Sequence, residues 1–237
     1  MELKGRLGAI ALKIPACGTL ADIGTDHAYI PIYASLKGLC ARALATDVKV
    51  GPVKIAERNI RRYNLDGRVE ARLGYGLEPV APGEADVTVV AGMGGPLICE
   101  ILQGSLEKAR RMKLLVLQPM NVIEAVRQWL NEAGFAIHEE ILALEGKKLY
   151  NIICTSWTGS VDPRDEYELY IGKELLRSGD PLLKEYLVRK IRQLDVMIEG
   201  RSRAGDDTDE LGRIVGIRNR LSEELARLPV SSSIGWS

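Results

Sequence analysis

Between Thr19 and Trp157, short β-rich runs alternate with segments of helical period, and this alternation limits the possible folds more than any other feature of the chain. Such alternation is satisfied by a parallel sheet whose crossover helices cover its faces. The expected strands are Thr19–Gly24, Arg42–Asp47, Val69–Leu73, Asp86–Ala91 and Lys113–Gln118, with helices near Ala28–Leu39, Pro52–Tyr63, Pro96–Lys108 and Val122–Ala133. Phe135–Leu144 and Leu149–Trp157 then read as an antiparallel hairpin turning at Glu145-Gly146-Lys147-Lys148. Five parallel units closed by a hairpin predict a seven-stranded α/β sheet.

After Thr158-Gly159-Ser160 the β signal stops. Asp162-Pro163 and Asp180-Pro181 each read as an N-cap followed by Pro at the first helical position. Leu187, Ile191, Leu194 and Ile198 recur at spacings 4, 3 and 4, and Leu211, Ile214, Leu221, Leu225 and Leu228 keep that register, with Arg218 at the one polar seam position. The pattern predicts an antiparallel helical hairpin turning between Arg201 and Asp209, through Gly205-Asp206-Asp207, with the Ser-rich end Val230–Ser237 frayed. The chain is therefore expected to divide into residues 1–158 and 159–237.

Composition excludes several classes. The 32 Lys and Arg residues equal the 32 Asp and Glu residues, so any nucleic-acid binding must use a local patch and not the global field. No apolar run approaches the roughly 20 residues that cross a bilayer. Lys4, Arg6 and Lys13 interrupt the first residues where a leader would need an unbroken apolar run. A soluble cytoplasmic protein is expected, monomeric or weakly dimeric. Cys17, Cys40, Cys99 and Cys154 are too widely spaced for a disulfide framework or a zinc site and read as reduced packing residues, and with only His27 and His138 besides, no metal centre is expected.

The first strand ends in Ala21-Asp22-Ile23-Gly24-Thr25-Asp26-His27, an acid and a glycine at a strand's carboxyl edge, where doubly wound sheets bind ligands. Asp26 occupies the place of the second glycine of a dinucleotide fingerprint, where an anion would face a pyrophosphate; this disfavours NAD and FAD and suits a phosphate-free cofactor such as S-adenosylmethionine. Asp47, followed by Val48, closes the second strand, where a carboxylate can accept hydrogen bonds from both ribose hydroxyls of a nucleoside. Either acid can equally cap the following helix. Leu73-Gly74-Tyr75-Gly76 reads as an adenine platform or as a plain Gly-rich turn. In Ala91-Gly92-Met93-Gly94-Gly95-Pro96, Gly95 and Pro96 read as N-cap and first helical residue, and the surplus glycines suggest close approach of backbone to a ligand. In Leu117-Gln118-Pro119-Met120-Asn121, Asn121 with Glu124 has the capping-box pattern, which leaves Gln118 to touch substrate.

Three blocks together, Ala21 to Pro31 (through Asp26-His27-Ala28-Tyr29), Ala91-Gly92-Met93-Gly94-Gly95 and Leu117-Gln118-Pro119, resemble the bacterial tRNA (adenine-N1)-methyltransferase family that acts at position 22 in the D-stem, and Gly51-Pro52 fits as well. The resemblance spans nearly the whole chain. It implies a Rossmann-like class I methyltransferase sheet followed by a helical coiled-coil domain, and methyl transfer from S-adenosylmethionine to adenosine N1. It places Asp22, Gly24, Asp47 and Gly74 at the cofactor and Asp26 at the reacting centre; the candidate sets read around these positions add Asp26, His27, Val48, Tyr75, Ala91 and Gly92 at the cofactor, and Gly92, Met93 and Gln118 at the reacting centre. Two positions depart from the family pattern: Tyr75 stands where an Asp is usual, and Met120 where an Asn follows Gln-Pro. Tyr29 or Met93 would pack on the target base, or belong to the core.

RNA needs cations. Lys54, Arg58, Arg61 and Arg62 share one face of the helix after the second strand, a candidate RNA surface or simply a solvated one. Arg201, Arg203, Arg213, Arg218 and Arg220 are the corresponding candidates on the helical hairpin. Two other readings stay open: a small-molecule methyltransferase whose hairpin is a lid or dimer contact, and a tRNA-binding module that has lost its cofactor.

Overall fold

A computed structural model of the chain describes residues 1–204 and 208–228. The predicted turn at Gly205-Asp206-Asp207 and the Val230–Ser237 end lie outside the described residues. In order, the elements are α1 (Gly5–Ala11), β1 (Cys17–Ile23), α2 (Tyr29–Leu36), β2 (Cys40–Asp47), α3 (Val50–Arg62), β3 (Val69–Leu73), β4 (Val87–Met93), α4 (Gly95–Gly104), α5 (Leu106–Ala109), β5 (Leu114–Pro119), α6 (Ile123–Glu132), β6 (Phe135–Glu145), β7 (Lys148–Trp157), α7 (Glu166–Ile171), α8 (Lys173–Arg177), α9 (Leu183–Ala204) and α10 (Thr208–Arg227).

Side chains of the strands sort by parity, because successive residues of a strand face opposite sides of the sheet. Leu20, Val89, Val116 and Ile152 pack with Ile10 of α1, Ile32 of α2 and Ile60 of α3 on one face. Ala21, Val90, Leu117 and Ile153 pack with Ile98 of α4 and Leu130 of α6 on the other. The seven strands run in the order β3-β2-β1-β4-β5-β7-β6. The first five in sequence pair in parallel, and β7 enters antiparallel between β5 and β6. Strand order reverses between β1 and β4, which opens a crevice at their carboxyl ends.

Several local expectations are corrected. The helix expected over Pro96–Lys108 breaks at Ser105, which leaves α-geometry after Gly104 (φ −135°, ψ 37°). The helix expected to reach Leu39 stops at Leu36, where Gly38 turns the chain at φ +69°. Gly94, not Gly95, is the N-cap of α4. Asn121 does not cap α6; the N-cap is Val122 in left-handed geometry (φ +45°), and Asn121 Oδ1 instead accepts from Gly95 N at 3.3 Å. Asp162 does not start a helix, and its carboxylate receives Lys173 Nζ at 3.0 Å. The helix start lies three residues on, at Asp165, which shares a reciprocal capping box with Glu168. Asp180 does mark an entry: its carboxylate accepts from Leu182 N just before α9 and from Leu142 N on β6, both at 2.8 Å.

The seam of the helical hairpin forms as the spacing requires. Leu187, Leu194, Ile214 and Leu221 are buried together with Leu142 of β6, and Arg218 Nε reaches Asp195 across the seam at 2.8 Å. All four cysteines are free thiols. Among the described residues no helix is long and apolar enough to cross a membrane, and no group of three metal-ligating side chains occurs.

A fully buried ion pair joins the helical part to the sheet. Arg127 of α6 donates to both carboxylate oxygens of Glu140 on β6, at 3.0 and 2.5 Å. Its other terminal nitrogen donates to the carbonyls of Leu169 and Tyr170 near the end of α7. Asn151 Nδ2 donates to the same carboxylate at 2.7 Å, and Gly172 leaves the room it occupies, since a Cβ there would lie 2.6 Å from Glu140. Removing one partner of such a pair strands a buried charge. We expect Arg127→Met to lose about 3–5 kcal/mol in urea unfolding, and Arg127→Met with Glu140→Leu to recover part of that loss, the orphaned α7 carbonyls accounting for the remainder.

Candidate active site

The carboxyl ends of β1, β2, β3 and β4 form one edge, and its turns are tied to one another by backbone hydrogen bonds. Gly24 N and Thr25 N both donate to Thr46 O at 2.8 Å, and Gly74 N donates to Asp47 O at 3.0 Å. Gly24 adopts φ +76° and Ala28, the N-cap of α2, φ +55°, a conformation that L-residues other than Asn and Asp seldom take. Thr25 Oγ1 holds that strained turn by accepting from Ala28 N at 3.0 Å. The chain is thus pulled back sharply after β1, leaving Asp26 and His27 on the rim.

A cleft of about 210 Å³ opens there, lined among others by Arg6, Asp22, Gly24, Asp26, His27 and Ala91. Its two acids differ in kind. Asp22 is buried, and desolvation pushes its carboxyl up to about 6, against the opposing pull of a hydrogen bond from Thr25 and the charge of Arg6. Asp26 is exposed, 3.1 Å from His27 Nε2. The His27 ring stacks on Tyr29 with centroids 4.9 Å apart and planes 14° from parallel, and Asn59 of α3 fixes the His27 carbonyl at 3.0 Å. The rim therefore offers a fixed planar platform beside a solvated carboxylate.

The remaining sequence-derived candidates are distributed unevenly. Asp47 and Val48 lie on the same edge; one Asp47 oxygen accepts from Lys49 N at 2.7 Å, as in an Asx turn, and Val48 is exposed. Gly74 is needed locally, since a Cβ would lie 2.9 Å from Pro79, and Tyr75 is tethered through its hydroxyl to Glu100 Oε1 at 2.6 Å. The glycines of the fourth strand's turn, expected to admit a ligand, stand close to protein atoms. Gly92 has φ +77° with Arg6 Nη1 3.1 Å from its missing Cβ, and Gly95 lies against the carbonyls of Asn121 and Val122. The Met93 methyl fills the space over Gly24, coming 2.0 Å from where a Cβ would stand. Gln118, expected to touch substrate, is fully buried, and its Oε1 accepts from Arg6 Nη1 at 2.5 Å and from Gly92 N at 3.1 Å.

Arg6 is the site residue that motif reasoning missed. It projects from α1, whose signal was present as Leu3, Leu7, Ile10 and Ile14 at spacings 4, 3 and 4, all of them packed into the first core cluster. Its guanidinium lies between the cleft and Tyr150, 5.7 Å from that ring's centroid. A larger concavity of about 970 Å³ lies beyond Tyr150, between the β6–β7 turn and α9. The smaller cleft has the two carboxylates and the strained turn, which make it the candidate active site.

The donor set suits a nucleoside with a cationic side arm. An acceptor at the end of β2 matches a ribose diol, and the two acids flanking Gly24 disfavour a pyrophosphate by charge. The model of the family described as "Methyltransferase domain" matches residues 3–153. The chain is 37% identical over 153 residues to the tRNA (adenine(22)-N(1))-methyltransferase of Bacillus subtilis, an alignment covering 65% of this chain and 64% of that protein's length. The crystal structure of the B. subtilis m1A22 tRNA methyltransferase is similar at TM-score 0.81 and 28% identity, over 95% of this chain and 97% of that one. A Streptococcus pneumoniae putative tRNA (m1A22) methyltransferase in complex with S-adenosyl-L-methionine is similar at TM-score 0.83 and 28% identity, over 95% of this chain and all of the other. With its sheet order, its antiparallel seventh strand and its cleft all in accord, this chain belongs to the methyltransferase-domain family.

Proposed function

We propose that the protein transfers a methyl group from S-adenosyl-L-methionine to N1 of an adenosine in the D-stem of tRNA, at the position numbered 22 in its B. subtilis relative, as a cytoplasmic enzyme. The observation that carries this reading is the pair of acids on either side of Gly24, one buried and one exposed, at the crevice between β1 and β4. Residues 1–158 form the catalytic unit and residues 159–237 the helical one.

Asp47 would hold the ribose hydroxyls through the oxygen not used by Lys49, and Asp22 would face the cationic end of the cofactor. The bound cofactor supplies an electrophilic sulfonium methyl. Adenine N1 presents an in-plane lone pair, so no side chain need remove a proton before attack, and the protein's task is alignment. The ring becomes cationic on methylation. Asp26, exposed and anionic at the rim, accepts a hydrogen of the exocyclic amine and stabilises the positive charge as it develops. N1 lies on the Watson–Crick edge, so the base must leave its stack to reach the cleft, and the His27–Tyr29 stack receives its face. Gln118 fixes the turn at Gly92, and Arg6 offsets the charge of Asp22.

Methyl incorporation from labelled cofactor into an unmodified tRNA transcript, read by reverse-transcription arrest, tests the assignment. We expect one arrest, at the D-stem adenosine. Asp26→Ala should lower kcat on the order of 10²–10³-fold, and Asp47→Ala should weaken cofactor binding about tenfold or more in calorimetry. Arrest elsewhere, or incorporation only into small metabolites, would refute the substrate.

Burial of Asp22 has a separate consequence for stability. Its carboxyl rises from 3.8 unfolded to about 6 folded, so the folded state binds the proton more tightly and stability falls as pH rises between those values. Above pH 6 the buried charge costs up to about 3 kcal/mol. In the cofactor-free protein, Asp22→Asn should therefore raise the melting temperature relative to wild type at pH 8, with the gain vanishing below pH 4, while weakening cofactor binding. An equal shift at both pH values would show that the carboxyl is not held protonated by the fold.

A further inference from the structure

The concavity between the β6–β7 turn and α9 has a lining of uneven charge. Lys147 and Lys148 project from the turn and Arg192 from α9; all three are exposed, and none has a side-chain partner among the described residues. Arg189 and Lys190 add two further cations, though Arg189 is paired with Glu185, and Lys190 lies 4.5 Å from the Tyr170 ring centroid. Glu124 is the one acidic residue of the lining. Between the cations lie apolar side chains that remain exposed: Val196 and Met197 on α9, at 71% and 45%, and Met120 and Val122 after β5, at 44% each. Cations flanking exposed apolar surface suit a polyanion whose bases are unstacked.

This groove adjoins the cleft. Arg6 lines the cleft and its guanidinium lies over Tyr150, which lines the groove, while Gln118, bonded to Arg6, is followed two residues later by Met120 at the groove's inner end. The other basic surfaces are less suited. Arg201, Arg203, Arg218 and Arg220 of the helical hairpin are each paired with a carboxylate. On α3, Arg61 is paired with Glu57, and the helix packs on β2 and β3 at the opposite end of the sheet from β7 and β6.

We propose that the groove between the β6–β7 turn and α9 seats the RNA strand next to the target nucleotide, with Lys147, Lys148 and Arg192 on successive phosphates and the Val196–Met197 patch against an unstacked base. This rests on the tRNA reading above and adds the direction of approach: the strand enters from the β5–β7–β6 end of the sheet and passes Arg6 into the cleft.

Binding of an unmodified tRNA transcript, measured by fluorescence anisotropy between about 50 and 200 mM salt, tests the proposal with cofactor affinity followed in parallel. The variant Lys147→Ala/Lys148→Ala/Arg192→Ala should bind tRNA about 10–100-fold more weakly, with the slope of log K against log salt shallower by about 2–3, roughly one per lost phosphate contact. Its S-adenosylmethionine affinity should be unchanged. Lys147→Arg/Lys148→Arg/Arg192→Lys should restore the wild-type slope, which a folding defect would not allow. A wild-type slope in the alanine variant, or a larger loss in Arg58→Ala/Arg62→Ala on α3, overturns the groove while leaving the tRNA reading intact. Failure of the wild type to bind any tRNA while it binds cofactor overturns both.

Discussion

The buried pair of Arg127 and Glu140 is the constraint on which the relation between sheet and helices depends. Both groups are wholly excluded from water, so each is tolerable only while the other is in place and the remaining donors and acceptors are satisfied. Arg127 meets that demand by reaching past Glu140 to the carbonyls near the end of α7, groups left without partners by the helix itself. The geometry of one guanidinium thereby sets where α7 meets β6 and α6, and with it where α9 rises alongside the β6–β7 turn. An apolar contact would hold the same parts together with less directional precision.

At the carboxyl end of β5 the same economy recurs in a weaker form. Gln118 is buried and uncharged, and its amide oxygen gathers Arg6 and the Gly92 amide to one point. The two acids of the cleft are then distinguished chiefly by solvent: similar carboxylates, one in a dry interior beside a cation and one at a wet rim. Burial shifts the proton affinity of the first and leaves the second free to meet a ligand.

Much of this was legible from residue order. The bounds of β3 were read as Val69–Leu73, the hairpin and the helical seam follow from spacing, and the β1 turn carries its acids in plain view. What escaped reading depends on distance across the fold. Asp162 and Asp165 are both acids near a proline, and only the reciprocal bond of Asp165 with Glu168 decides between them. The glycines around Met93 look like a ligand cradle, and only the fold shows Arg6 standing against Gly92 and the carbonyls of Asn121 and Val122 against Gly95. Four arginines of the hairpin look free until their carboxylates are found: Glu210 and Asp195 across the seam for Arg201 and Arg218, Glu199 on the same helix for Arg203, and the α7 cap Asp165 for Arg220. Arg6 was hidden because a short helix whose apolar positions match only the core offers no chemical motif.

The contact between Arg6 and Gln118 spans 112 residues of sequence. During synthesis the first helix leaves the ribosome long before the fifth strand, and until that strand emerges the guanidinium has neither its amide partner nor the Gly92 turn to rest against. Local turns of β1 and β2 can form early, since their partners are near in sequence, whereas closure of the cleft is deferred until most of the sheet exists. A nascent chain thus carries its acidic turn without the Arg6–Gln118 contact until β5 has been made.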